Sequence, residues 1–248
     1  MNQPATDSLW CRRYHPAPTT ARQLVCFPHA GGSASFYHPV SAALTPAVEV
    51  LAVQYPGRQD RRLEPAIDDI GRLADAITAE LLPLPGRPAL FGHSMGALVA
   101  FEVALRLEEH GRVPAHLFVS GRKAPSIPSE ELRQLTDDQL LADIRTLNGT
   151  APGVLEDDEL VRMILPAVRA DYRAVGTYRS RPGSVLSCPV TALVGEHDPR
   201  AKVAETHGWQ EHTTGGFDLH TFPGGHFYLV ERAAEVLGLL DERLTPAR

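Results

Sequence analysis

Along the chain, short apolar runs alternate with longer stretches in which apolar residues recur every three or four positions. Leu24–Phe27, Val48–Gln54, Ala89–Phe91, Ala115–Val119, Val190–Val194 and Phe217–Phe222 predict strands. Between them, Ser33–Leu44, Ile67–Leu82 and Met95–His110 predict helices, and Leu229–Leu244 predicts a last one. This alternation predicts an α/β fold: a mostly parallel central sheet with helices on both faces. In such sheets ligands bind beyond the carboxyl ends of the strands.

The alternation breaks between Gly121 and Ser187, where no strong strand pattern occurs. Thr136-Asp137-Asp138-Gln139 reads as a capping box. It opens a helix carrying Leu140, Leu141, Ile144 and Leu147 that stops at Gly149. A second helix, from about Asp157 to Tyr178, places Leu160, Val161, Ile164, Ala167, Val168, Tyr172 and Val175 mostly on one face, with Pro166 a point of kinking. We read residues 1–120 and 188–248 as the core and residues 121–187 as an inserted helical lid, entered through the Pro-rich hinge Ala124–Pro128. The plain alternative is further packing against the sheet.

Composition changes this picture little. At 248 residues the chain buries a full core, and its net charge of −6 gives no footprint for nucleic acid or an anionic membrane. The N-terminus lacks an apolar signal segment, and no run reaches membrane length. Cys11, Cys26 and Cys188 form no C-x-x-C pair and no metal-ligand spacing; Cys26 and Cys188 fall in or beside apolar runs. These features predict a cytoplasmic, reduced protein without a metal or cofactor. Nothing marks a dimer, so the default expectation is a monomer.

The chemistry concentrates at strand ends. Gly92-His93-Ser94-Met95-Gly96 follows an apolar run and precedes a helix. This is G-x-S-x-G in strand–turn–helix context and resembles the nucleophile elbow of the α/β-hydrolases. A serine hydroxyl is a poor nucleophile at neutral pH and needs a base, which in turn needs an orienting acid. In that fold the order is Ser, Asp or Glu, then His. Asp198 follows the run Val190–Val194 and His226 follows Phe217–Phe222, so both meet Ser94 on one edge of the sheet. Glu196 is the rival acid, and Asp198 is preferred because the Asp-Pro turn sets it beyond the strand end. His29 and His93 adjoin the chemistry, but one base suffices. An oxyanion site needs two backbone N–H groups. Met95, after the nucleophile, supplies one, and Ala30 in Pro28-His29-Ala30-Gly31-Gly32 the other. A Gly-Gly turn before a helix could instead cradle a phosphate.

Five segments together resemble the type II thioesterases, the editing enzymes of polyketide and non-ribosomal peptide assembly. They are Pro28-His29-Ala30-Gly31-Gly32, Gln54-Tyr55-Pro56-Gly57-Arg58-Gln59-Asp60-Arg61, Gly92–Gly96, Gly195-Glu196-His197-Asp198-Pro199 and Gly224-Gly225-His226-Phe227. The resemblance spans about Leu24 to Leu240 and includes Leu165–Tyr172 of the lid segment. It implies an α/β-hydrolase fold and hydrolysis of acyl thioesters from the phosphopantetheine arm of an acyl or peptidyl carrier protein. Arg58, Arg61 and Arg62 then become candidates for contact with the pantetheine phosphate or the acidic carrier. Local pairing with Asp60 and Glu64 is the alternative. Three other readings stay open: an esterase, lipase or peptidase of the same fold, an acyl transferase, and a non-catalytic binding protein.

Overall fold

The computed structural model describes residues 8–129, 132, 134–147, 153 and 155–245. Among these residues seven strands form one sheet: β1 (Cys11–Arg12), β2 (Arg22–Phe27), β3 (Val48–Val53), β4 (Ala89–His93), β5 (Leu117–Ser120), β6 (Val190–Gly195) and β7 (Phe217–Phe222). Their spatial order is β1-β3-β2-β4-β5-β6-β7, with β4 in the centre. All neighbours pair in parallel except β1, which runs antiparallel along β3. The six longer strands lie where apolar runs predict them. β1 carries no periodic signal, being two residues long, and was not foreseen.

The helices are α1 (His38–Leu44), α2 (Ile70–Leu81), α3 (Met95–Glu109), α4 (Asp137–Leu147), α5 (Asp158–Thr177), α6 (Val203–His207), α7 (Tyr228–Glu231) and α8 (Ala233–Leu244). Three differ from the sequence pattern, one of them α6, which at five residues shows no period and is not predicted. The stretch predicted as Ser33–Leu44 begins as a 3₁₀ turn, Ala34–Tyr37, and becomes α1 at His38. The closing helix is divided at Arg232 into α7 and α8. The Thr136 capping box forms, with Thr136 N–H on Gln139 Oε1 at 2.8 Å and Gln139 N–H on Thr136 Oγ1 at 3.4 Å. The predicted stop at Gly149 lies outside the described residues.

Strand side chains alternate between two cores, as a period of two requires. Val25, Phe27, Leu51, Val53, Leu90, Leu117 and Val119 face α2, α3 and the second half of α5. Leu24, Cys26, Val50, Ala52, Phe91, Phe118 and Leu193 face α1, α7 and α8. α3 is buried from Met95 through Leu105 because it is covered on both sides. α2 buries one stripe, Ile70, Leu73, Ala74, Ile77 and Leu81, and its first turn is capped by Asp69 accepting the Arg72 N–H; such a cap contributes about 1 kcal/mol.

The chain goes from β2 outward to β3, then returns to β4 and proceeds the other way. The crevice at the carboxyl ends of β2 and β4 is therefore the switch point where such sheets bind ligands. Between β5 and β6 the chain leaves the sheet, and α4 and α5 cross above that crevice. No helix among the described residues is long and apolar enough to cross a membrane.

Two glycines predict opposite outcomes. Gly238 is exposed within α8 with open space around its α-carbon. Gly238→Ala should stabilise by about 0.5–1 kcal/mol and raise Tm by roughly 1–4 °C. Gly96→Ala should destabilise by about 3 kcal/mol or more, because its Cβ would stand 2.0 Å from the Phe27 carbonyl oxygen. Thermal melts of both variants check the pair.

Candidate active site

Ser94 stands between the central strand β4 and α3 with φ of 55° and ψ of −116°, a left-handed conformation that few non-glycine residues adopt. Its neighbours leave it no other course. A Cβ at Gly92 would lie 2.2 Å from the Gly96 carbonyl oxygen, so β4 and the first turn of α3 are in van der Waals contact. The Ser94 N–H is held by the Ser120 carbonyl at 2.8 Å. Only then does the hydroxyl project beyond the sheet.

His226 follows β7 and Asp198 follows β6, and both are buried. Their approach needs another bare backbone, since a Cβ on Gly195 would lie 2.2 Å from the Gly225 carbonyl oxygen. His226 Nδ1 lies 2.8 and 3.0 Å from the Asp198 carboxylate oxygens, and Nε2 lies 2.9 Å from Ser94 Oγ. A carboxylate only accepts hydrogen bonds, so Nδ1 carries the proton and Nε2 is free to accept from the serine hydroxyl. Asp198 is anchored by the N–H groups of Arg200 and Ala201, at 2.7 and 3.2 Å. Glu196 and His197 are exposed and turned to solvent.

The turn after β2 lies against this group. The Tyr37 hydroxyl donates to the Phe27 carbonyl at 2.8 Å, and the Tyr55 hydroxyl to Pro28 at 3.2 Å. Gly32 N–H closes the turn on the His29 carbonyl at 2.9 Å. Ala30 and Ser94 line the same recess, and Met95 opens α3 at its positive end. Gly31 is not available to a phosphate, because its N–H is bound by Asp171 of α5 at 2.7 Å.

Two more imidazoles surround His226. His93 packs 5.0 Å from it, ring to ring, and is hydrogen-bonded to Ser120 at 2.9 Å. His29 is boxed edge-on by Phe36 and Phe227, each 4.8 Å away. Burial, reinforced by the nearby His226 and Arg58 charges, pushes His29 down to about 3. Burial likewise holds His93 well below the usual histidine value, with His226 and His29 adding to the effect. Both rings therefore resist protonation.

The three arginines after β3 fall into different environments. Arg58 is buried, paired with Asp171, and bonded through Nε to the Gly32 carbonyl at 3.1 Å and through Nη1 to the Pro56 carbonyl at 2.7 Å. Arg61 is also buried: it pairs with Glu64 at 2.6 Å, donates to the Gln54 carbonyl at 2.8 Å and lies 4.2 Å over the Trp10 ring. Arg61 thus takes the local pairing with Glu64 that the sequence left open, and Arg58 takes a partner 113 residues along the chain. Of the three, Arg62 is exposed.

A chamber of about 480 Å³ opens beside the site, lined by the turn from His29 to Ser33, by Phe36 and Phe227, and by Ile144, Leu147, Ile164, Val168 and Tyr172 from α4 and α5. The recess over Ser94 itself holds only about 40 Å³. It is roofed by Tyr172, whose hydroxyl donates to Asp143 at 2.7 Å, and by the Asp143–Arg200 ion pair. Of these residues the sequence pattern marks Tyr172, on the apolar face of α5; Asp143, Arg200 and Asp171 carry no such signal. Among the described residues no cluster of His, Cys, Asp and Glu could hold a metal ion.

Residues 22–244 match the thioesterase-domain family. The chain is 53% identical to a probable cadicidin biosynthesis thioesterase of Streptomyces griseus, over 98% of this chain and 68% of that protein. It is 50% identical to thioesterase PikA5 of Streptomyces venezuelae, over 98% and 88% of the two chains. The solved structure of BorB, a type II thioesterase from the borrelidin cluster, superposes with a TM-score of 0.90 at 52% identity, covering 97% of this chain and all of the other.

The buried neutral histidines predict how stability varies with pH. An unfolded histidine binds its proton near ~6.5, whereas His29 resists until about 3. Between these values the unfolded state holds more protons. Stability is therefore fully present above that range and falls as pH drops, by about 1.4 kcal/mol per pH unit for each such group. Urea midpoints should decline steadily from near neutral pH into the acid range. A flat midpoint would contradict the burial of both rings.

Proposed function

The chain belongs to the thioesterase family, among the type II thioesterases of polyketide and non-ribosomal peptide biosynthesis, and we propose that Ser94, His226 and Asp198 carry its hydrolysis of acyl thioesters. The substrate is an acyl group on the phosphopantetheine arm of an acyl or peptidyl carrier protein, and the physiological role is to clear aberrant or stalled units. The observation that carries this reading is the unbroken relay from Asp198 through His226 to Ser94, with contacts of 2.8 and 2.9 Å.

In the first half-reaction, Ser94 Oγ bonds to the thioester carbon as its proton passes to His226 Nε2. Asp198 stabilises the resulting imidazolium. The carbonyl oxygen becomes an oxyanion, received by the N–H groups of Ala30 and Met95. When the carbonyl re-forms, the carbon–sulfur bond breaks and the pantetheine sulfur takes the proton from His226. A water molecule then repeats the sequence on the acyl-serine ester and releases the free acid. Burial makes the rings of His29 and His93 resist a proton, and it is His226 whose Nε2 lies 2.9 Å from Ser94 Oγ.

Residues 121–187 serve as a lid over a core formed by residues 1–120 and 188–248. The chamber of about 480 Å³ falls within the usual size of a ligand pocket and suits an acyl group. The site is built from one chain, which supports the reading of the enzyme as a monomer. The three cysteines are free and buried, which suits the reducing cytoplasm. Arg62 is the arginine positioned to meet an acidic carrier.

The test is thiol release from carrier proteins loaded with acyl groups from acetyl to long-chain. Ser94→Ala should lower kcat by about 10⁴-fold or more, and Asp198→Asn by up to ~10⁴-fold. Arg62→Ala should raise KM for acyl carriers but not for small acyl thioesters. Preference for a p-nitrophenyl ester, with no turnover of acyl carriers, would overturn the assignment.

A further inference from the structure

Asp171 has no part in the relay, yet it is wholly buried on α5 with its carboxylate against the turn after β2. Oδ2 accepts the Gly31 N–H at 2.7 Å and a hydrogen bond from the Arg58 guanidinium, while buried Oδ1 has no hydrogen-bond partner. Arg58 carries the link onward to the Gly32 carbonyl. Val168, three residues earlier on the same helical face, fills the space beside Gly31, where a Cβ would meet its Cγ2 at 3.1 Å.

These contacts act on two successive peptide units. The Ala30 N–H shares its peptide plane with the His29 carbonyl, which Gly32 N–H holds at 2.9 Å. The next plane, between Ala30 and Gly31, is held by Asp171 through the Gly31 N–H. Gly31 has a φ of 75°, so without these ties the turn has a wide range of conformations open to it. Holding α5 on the core does not require a carboxylate, since apolar residues of similar volume often serve as well or better than a buried ion pair. What a carboxylate adds is an acceptor for a backbone N–H.

We propose that Asp171 is a positioning residue for the oxyanion turn: by fixing the Ala30–Gly31 peptide it keeps the Ala30 N–H aimed at the reacting carbonyl. This rests on the role given to Ala30 above. The second half of α5 is then part of the frame of the site rather than a moving cover.

Three variants test it, on acyl-pantetheine thioesters. Asp171→Ala should lower kcat by at least about tenfold with KM little changed, since an oxyanion donor acts on the transition state. Asp171→Asn should recover part of that loss, because its amide oxygen can still accept the Gly31 N–H. The double variant Asp171→Leu, Arg58→Met removes both charges and keeps the packing. It should melt close to wild type and yet keep the low kcat. Affinity for an acyl trifluoromethyl ketone, which forms a hemiketal oxyanion on Ser94, should fall by the same factor as kcat/KM. If kcat and inhibitor affinity return in the double variant along with Tm, Asp171 is merely structural and the proposal fails. If Ser94→Ala still turns over substrate, it is the assignment of the site itself that fails.

Discussion

Everything at the site depends on how closely the first turn of α3 lies against the carboxyl end of β2. At position 96 the α-carbon is so near the Phe27 and Pro28 carbonyls that no side chain fits, and at position 92 the same holds against the Gly96 carbonyl. Strand, turn and helix interlock through bare backbone. Ser94 is left in a conformation that costs on the order of 1–3 kcal/mol, and the surrounding sheet over-determines it. Because α3 is pressed onto β2, the turn after β2 and the helix N-terminus face one small space. The hydroxyl and the backbone donors share that space as a consequence of packing, not of any contact between them.

The electrostatics follow from the same enclosure. The rings of His93 and Phe227 pack on His226, and His29 and Phe36 pack on Phe227 in turn. Apolar surroundings lower the local dielectric, which strengthens each remaining interaction and penalises stray charge. His29 and His93 stay neutral under that penalty. His226 has Asp198 beneath it, so it alone has a counter-ion for the proton it receives. The difference between a base and two packing residues of the same type lies in one carboxylate.

Sequence made visible those parts of the fold whose causes are local. Six strands, the capping box at Thr136 and the Gly-rich turns follow from periodicity and turn chemistry within a few residues of each. Ser94, Asp198 and His226 were legible because each sits at the end of an apolar run and their order is constrained by topology. β1 was hidden, since two residues show no period. Arg61 takes the local pairing with Glu64 that the sequence offered, whereas the role of Arg58 and Asp171 was hidden because each is set by a partner far along the chain. Arg58 and Asp171 are 113 residues apart. A charged residue in a loop reads as solvated unless its distant partner is known.

The same pairing decides which part of the 121–187 segment is fixed to the core. α5 changes character at Pro166. Before it, Leu160 and Met163 are exposed; after it, Ala167, Val168, Asp171, Tyr172, Ala174 and Val175 are buried. Parting the Arg58–Asp171 pair would strand a charge in the interior, at a cost of about 3–5 kcal/mol. The ties from Arg169 to Asp137 and from Arg173 to Asp68 are exposed, and such pairs hold with only about 0–1 kcal/mol. The recess over Ser94 holds about 40 Å³ and shares Ala30, Leu147, Tyr172 and Phe227 with the larger chamber beside it. The buried pair therefore fixes the second half of α5 on the oxyanion turn, while α4 is held over Ser94 through Asp143, which meets both Arg200 and Tyr172.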